Sequence, residues 1–237
     1  MLIIISLLCL VGIIGLAVST KFKHRLGIGA VLTIVLLLAQ TLLLLDTHTH
    51  WGTNLQTTQS QQTIASLVSF PGDNQVLAYR NVGSGKTRKQ IYIYKPSSRS
   101  NKKLMTYADK VTILLERSPQ ATAHRIKAVT RYHYHNTWAK ILYACVLNDQ
   151  QVQKTTITFQ LPAHWFVLST QDLTKAGKHL KAQQTQMKAA VASEVQAYLV
   201  KHPNQGADPG DIQKVETHFL QQYTAKDLTR YSVKINH

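Results

Sequence analysis

The sequence predicts an α+β protein in which an N-terminal transmembrane helical hairpin is followed by a small antiparallel β-sheet domain with C-terminal helices. Three observations carry that prediction. Two charge-free apolar runs open the chain, short β-type runs punctuate its middle, and an Ala, Gln and Lys-rich stretch with apolar residues every three to four positions closes it. They divide the chain into a two-helix transmembrane hairpin over 1–45, a polar linker over 46–67, and an extracytoplasmic α+β domain over 68–237.

The first apolar run extends from Leu2 to Val18 without a charge, and the second from Leu26 to Leu45 with only Thr33, Gln40 and Thr41 as polar interruptions. A helix needs about 20 apolar residues to cross a hydrocarbon core, with about 17 as the lower end. The second run meets the typical length and the first the minimum. A core helix of a small domain carries polar residues on its solvent side, whereas these runs are apolar all round. In lipid the backbone must be satisfied within the segment, so even Ile3 to Ile5 belongs in a helix. A cleaved signal peptide is the alternative, since Ala17 and Ser19 give a small-x-small pattern. Against it, the chain has no basic n-region before the first run, and a second full span follows.

Orientation follows from the flanking charges. The connector holds Lys21, Lys23 and Arg25 and no acid, while the exit sequence from Asp46 to His50 has one acid and no Lys or Arg. Short basic flanks stay on the cytoplasmic side, so these three residues determine a multi-pass topology with both termini extracytoplasmic. Gly12, Gly15, Gly27 and Gly29 are expected to let the helices approach closely, and Trp51 is expected to anchor the exit at the headgroup level.

Beyond Trp51, the Thr, Gln and Ser-rich stretch from Gly52 to Ser69 reads as a linker or a polar strand. Strand-like runs then cover Val76 to Arg80, Gln90 to Tyr94, Val111 to Leu115, Ile126 to Tyr134, Ala139 to Leu147, Val152 to Phe159 and Trp165 to Leu168. β-branched and aromatic residues at period two mark them as half-buried. Turns at Gly83-Ser84-Gly85 and Asn148-Asp149-Gln150 predict two hairpins. Leu173, Leu180, Met187, Val191, Val195 and Tyr198 fit an amphipathic helix that breaks at His202-Pro203. A second helix is expected from Asp208 as N-cap and Pro209 as its first residue, and Tyr231 to Ile235 as a last strand. Strands followed by helices, without βαβ alternation, indicate α+β.

No constellation specifies a reaction, so no enzymatic activity, metal or cofactor is expected. Gly83-Ser84-Gly85-Lys86-Thr87 looks like the end of a phosphate-binding loop, but Arg80 stands where its first Gly belongs and a strand follows instead of a helix. His48 with His50, and His133 with His135, each offer two ligands where a zinc site needs three or four protein ligands. Cys145 lies in an apolar run and reads as a small core residue; Cys9 lies within the first span, so no disulfide framework exists.

Charge supplies the remaining functional clue. Of 27 Lys and Arg, all but the three connector residues follow the second run, as do all 11 acids, which leaves that part at +13. Such a balance favours anionic partners. The candidate anion-binding residues are Arg80, Lys86, Arg88 and Lys89, with Tyr79, Tyr92 and Tyr94 interleaved. Outside a bacterial membrane the partners would be membrane lipid or anionic cell-wall polymers. Another membrane protein, regulated through the hairpin, is the alternative partner. Nucleic acid would be the partner only of a cytoplasmic domain.

The opening hairpin, the strand Gln90-Ile91-Tyr92-Ile93-Tyr94-Lys95, and the run Leu161-Pro162-Ala163-His164-Trp165-Phe166-Val167-Leu168 leading into the Gln, Ala and Lys-rich helix carry a resemblance. In this layout the chain resembles a family of uncharacterised two-span membrane proteins of lactic acid bacteria that carry a domain of unknown function. The resemblance implies location and architecture, and no activity.

Overall fold

The computed structural model describes residues 1–18, 24–85, 88–106, 111–144, 146, 149–202 and 209–235. It is a mixed α+β structure in which two apolar helices come first, α1 (Leu2–Val18) and α2 (Arg25–Thr49). Helix α2 is long and apolar enough to cross a bilayer, and α1 is a shorter apolar helix. Large side chains of both, such as Leu7, Leu8 and Val11 on α1 and Leu37 and Leu38 on α2, are exposed. That is the reverse of a core helix, and it supports membrane association.

The two helices pack antiparallel, with Gly12 facing Leu32 and Leu2 in one cluster with Ala39, Leu42 and Leu43. Of the four glycines expected at the contact only Gly12 serves it. A Cβ there would come 3.1 Å from the Leu32 side chain, whereas nothing lies within 4 Å of one at Gly15, Gly27 or Gly29.

The strands are β1 (Thr53–Thr63), β2 (Ser69–Phe70), β3 (Asn74–Val82), β4 (Lys89–Tyr94), β5 (Leu104–Met105), β6 (Val111–Arg117), β7 (His124–Tyr134), β8 (Val152–Leu161) and β9 (Trp165–Ser169). One sheet has the order β1-β7-β8-β6; the other has β2-β3-β4-β5, with β9 added on β3. The polar stretch after Trp51 is thus a strand. The Gly83-Gly85 turn closes an antiparallel hairpin in which Val82 pairs with Lys89 and Ala78 with Ile93.

The second sheet is mixed, against the expectation of antiparallel pairing throughout, because β9 runs parallel to β3. Pro162 has no N–H with which to continue β8. The Arg117 guanidinium fixes the crossing that follows, its Nη1 donating to the carbonyls of Pro162 at 2.7 Å and Trp165 at 2.8 Å. Burial lowers the pKa of that guanidinium from its usual value. The apolar continuity of Trp165-Phe166-Val167-Leu168 fits a strand covered on both faces.

A second difference concerns the run from Ala139 to Leu147. Helix α3 (Thr137–Leu142) occupies its beginning, capped by Asn136, whose side chain accepts from the Ala139 amide at 2.7 Å. Strand β8 pairs instead with β7, and just before β8 the Gln150 amide donates to Tyr132 O at 2.8 Å and the Tyr132 amide donates to Gln151 O at 3.0 Å. Cys145 and Asn148 lie outside the described residues.

After β9 come α4 (Thr170–Ala182), α5 (Gln184–Lys201) and α6 (Pro209–Tyr231). The amphipathic stretch expected as one helix is interrupted at Gln183; Pro209 begins α6 as expected, and Asp208, its expected N-cap, lies outside the described residues. The tail follows β9 without forming a regular strand: the Val233 amide donates to Val167 O at 2.9 Å, and the Val167 amide donates to Ser232 Oγ at 3.0 Å.

The chain divides into two compact units, Met1–Gln59 with Ala128–Thr155, and Ser60–Lys127 with Thr156–His237. In the second unit strand alternation builds two cores. Leu77, Tyr92, Tyr94, Trp165 and Val167 meet Ile157, Phe159 and Leu161 of β8. On the other face of β3 and β9, Val76, Phe166 and Leu168 meet Ala176 and Leu180 of α4 and Leu228 of α6. The first unit holds a smaller core of Leu2, Ala39, Ala139 and Tyr143.

Candidate anion-binding site

In the second unit the turn between β3 and β4 and the start of α4 enclose an open cavity of about 540 Å3, lined by Tyr79, Arg80, Asn81, Gly83, Ser84, Gly85, Arg88 and residues 169–172. Its walls follow from local sequence. Gly83 and Gly85 have φ of 88° and 55°, a left-handed backbone that glycine adopts without strain. The tight turn they allow brings Arg80, on the exposed side of β3, and Arg88, just before β4, to one cavity. The opposite wall is the first turn of α4, whose N-cap Ser169 accepts from the Asp172 amide at 3.0 Å and donates to Asp172 Oδ2 at 2.7 Å.

Two arginines and one aspartate line the cavity, and Asp172 is engaged by Lys175 at 3.7 Å. Among the described residues neither Arg80 nor Arg88 is held in an ion pair. The cavity therefore presents net positive charge beside the N-terminal end of a helix dipole, which also favours anions. Lys86 lies outside the described residues, and Lys89 is the first residue of β4, opposite Val82, away from the cavity lining. The contribution of α4 was legible only as Ser169-Thr170-Gln171-Asp172, a capping pattern that marks a helix start without saying what it faces.

The interleaved tyrosines divide differently from the basic residues. Tyr92 and Tyr94 are buried against Phe159, and Tyr79 is half-buried beside Tyr92. Burial, with a smaller contribution from Tyr79, pushes the Tyr92 hydroxyl up to about 12. Two of the three rings thus belong to the core and offer no stacking platform for bases.

The histidine pairs do not converge. His48 is in the last turn of α2, and His50 is its C-cap with φ 54°, stacked on Tyr132 at 3.9 Å and bonded to Gln151 at 3.1 Å. His133 lies 3.8 Å from Asp149, while His135 Nδ1 is 2.5 Å from Gly52 O. Among the described residues no three His, Cys, Asp or Glu gather as metal ligands.

At the exit of α2, Asp46 is fully buried and accepts from the Tyr134 hydroxyl at 3.0 Å. Burial first, and then that bond to a carboxylate, push the Tyr134 hydroxyl above the usual tyrosine range. Trp51 follows, 55% exposed. Lys21 and Lys23 lie outside the described residues, and Arg25 opens α2.

Residues 21–176 match the family model described as Domain of unknown function (DUF4811). No curated protein and no solved structure gives a match.

Proposed function

The chain belongs to the DUF4811 family, whose description assigns no activity, so we propose its function from the site: it is a membrane-tethered protein that presents a basic cavity to an anionic component of the cell envelope. Helices α1 and α2 form a two-span hairpin in this reading, with the connector at Lys21, Lys23 and Arg25 on the cytoplasmic side. The setting is the envelope of a bacterium with a single membrane, where anionic wall polymers and lipid headgroups are the available anions.

The observation that carries the reading is the pairing of Arg80 and Arg88 at one open cavity with the start of α4 as its far wall. Guanidiniums match phosphate geometry in two-pronged hydrogen bonds, which lysines scattered over a surface do not. The surrounding charge of +13 beyond the hairpin raises the local concentration of any polyanion.

The test is binding of the full chain, in detergent, to a glycerol-phosphate polymer and to vesicles containing phosphatidylglycerol. Binding that weakens as salt rises is expected. R80E/R88E should abolish binding to the polymer, while K102E/K103E, which are not part of the cavity lining, should weaken it only slightly. Equal losses in the two variants would reduce the reading to diffuse charge.

A further inference from the structure

Helix α3 is short and two-faced. Ala139 and Leu142, with Tyr143 just beyond, pack into the cluster that holds Leu2, Ala39, Leu42 and Leu43. Trp138 and Ile141, three residues apart and so neighbours on the helix surface, are 80% and 46% exposed. An indole and a branched aliphatic side chain displayed together make a poor surface for water.

The height of α3 along α2 says what covers that face. Asp46, buried against Tyr134, marks the polar end of α2. Ala39 precedes it by seven residues, about 10 Å along a helix at 1.5 Å per residue. A helix that shares a cluster with Ala39, Leu42 and Leu43 therefore lies beside the apolar length of α2 and not beyond its polar end. The flanks of α1 and α2 at that height are themselves apolar and exposed, at Ile3, Ile4, Leu38, Leu44 and Leu45. Trp138 and Ile141 add two more exposed apolar side chains to this unit.

Two further features suit a headgroup-level setting. The Met1 nitrogen donates to the carbonyls of Ile141 at 3.3 Å and Ala144 at 3.2 Å, so two oxygens at the end of α3 are satisfied without water. Lys140 is exposed and extends to Asp149 at 3.7 Å, a long stem with a polar tip.

We propose that α3 is an interfacial helix that inserts Trp138 and Ile141 into the bilayer at the boundary of headgroups and acyl chains, the occupant of this face being phospholipid. Trp is favoured at that depth, and an amphipathic helix lying in the interface plane buries its apolar face there. The pair fixes the depth and rotation of the first unit at the membrane surface, which a hairpin alone does not. The inference rests on the membrane reading of α1 and α2, and the following experiment separates the two.

The full chain, with Cys9→Ala and Cys145→Ala, is given one nitroxide label at a time and reconstituted in phosphatidylcholine and phosphatidylglycerol vesicles. The positions are L37C for mid-span, W138C for the inserted face, and Q120C for water. Collision of the label with oxygen and with a water-soluble nickel chelate reads its depth. A label at 138 should collide with nickel several-fold less often than one at 120, and with oxygen less often than one at 37. I141C should give the same depth, which protects the result against a local effect at 138. A 138 label as open to nickel as that at 120, with a deep label at 37, overturns the inference and leaves the hairpin standing. A water-exposed label at 37 overturns both. A 138 label shielded from both reagents would mean that protein covers the face, and would also overturn it.

Discussion

At the scale of single residues, the second unit is pinned where α6 meets the turn between β2 and β3. Gly72 has φ 75°, and a Cβ there would fall 2.1 Å from the Gln221 amide nitrogen. Next to it, Asn74 is fully buried and donates from Nδ2 to Gln221 O at 2.9 Å and to Thr224 Oγ1, while Thr224 Oγ1 donates to Pro71 O at 2.8 Å. These bonds clamp α6 to the β2–β3 turn, so Asn74→Ala is expected to cost about 1 to 3 kcal/mol by leaving buried carbonyl and hydroxyl groups unmatched. Gly72→Ala should cost at least as much through steric overlap and the left-handed backbone. Thermal unfolding of the full chain in detergent, followed by near-ultraviolet circular dichroism, measures both.

Tyr92 makes a prediction about pH on the same footing. Its hydroxyl, donating to Gln90 Oε1 at 2.8 Å, holds its proton up to about 12 in the folded chain, against about 10 in an unfolded one. Above pH 10 the unfolded state binds fewer protons, so stability falls as pH rises from 10 towards 12 and is fully present below 10. Tyr92→Phe should flatten that alkaline decline in melting temperature. An unchanged slope would place its origin elsewhere, with Tyr94, also raised by burial, as the next candidate.

At the scale of elements, helix α3 shows what the sequence can and cannot disclose. The run from Ala139 to Leu147 has the composition of a strand, yet Asn136 caps a helix and the apolar contacts of Leu2, Ala39 and Leu43 retain it. Those contacts join residues roughly 95 to 140 positions apart, and local propensity carries no trace of them. The two apolar runs, by contrast, are α1 and α2 almost residue for residue, because in a charge-free segment composition alone decides the outcome. The parallel pairing of β9 with β3 was equally hidden, since Arg117 and Pro162 act across a distant loop. Of the candidate site, Arg80 and Arg88 were legible as charges near a glycine turn, but the wall supplied by α4 was not. The cap itself is testable: Asn136→Ala should destabilise α3 by about 1 kcal/mol, and the Ala139 amide should exchange with solvent about fivefold faster, read by hydrogen exchange in detergent.

At the scale of the whole molecule, what the basic cavity meets depends on which side of the membrane receives it. The proposed determinant is small: Lys21, Lys23 and Arg25 between two runs that carry no charge, against an exit that has Asp46 and no Lys or Arg. The rest of the chain is itself strongly basic, at +13, but long segments translocate largely regardless of charge while short flanks decide orientation. The two influences therefore make different predictions for a chain whose connector is neutralised. If the connector governs, K21Q/K23Q/R25Q combined with two lysines inserted after Met1 should bring the second unit into the cytoplasm, where protease added to intact cells no longer cleaves it. If the charge of the large segment governs, that unit is already inside the parent cell and the substitutions change nothing. Protease cleavage of the parent protein on intact cells, lost in the altered chain, is the expected outcome; it would make an extracellular polyanion the relevant ligand for Arg80 and Arg88.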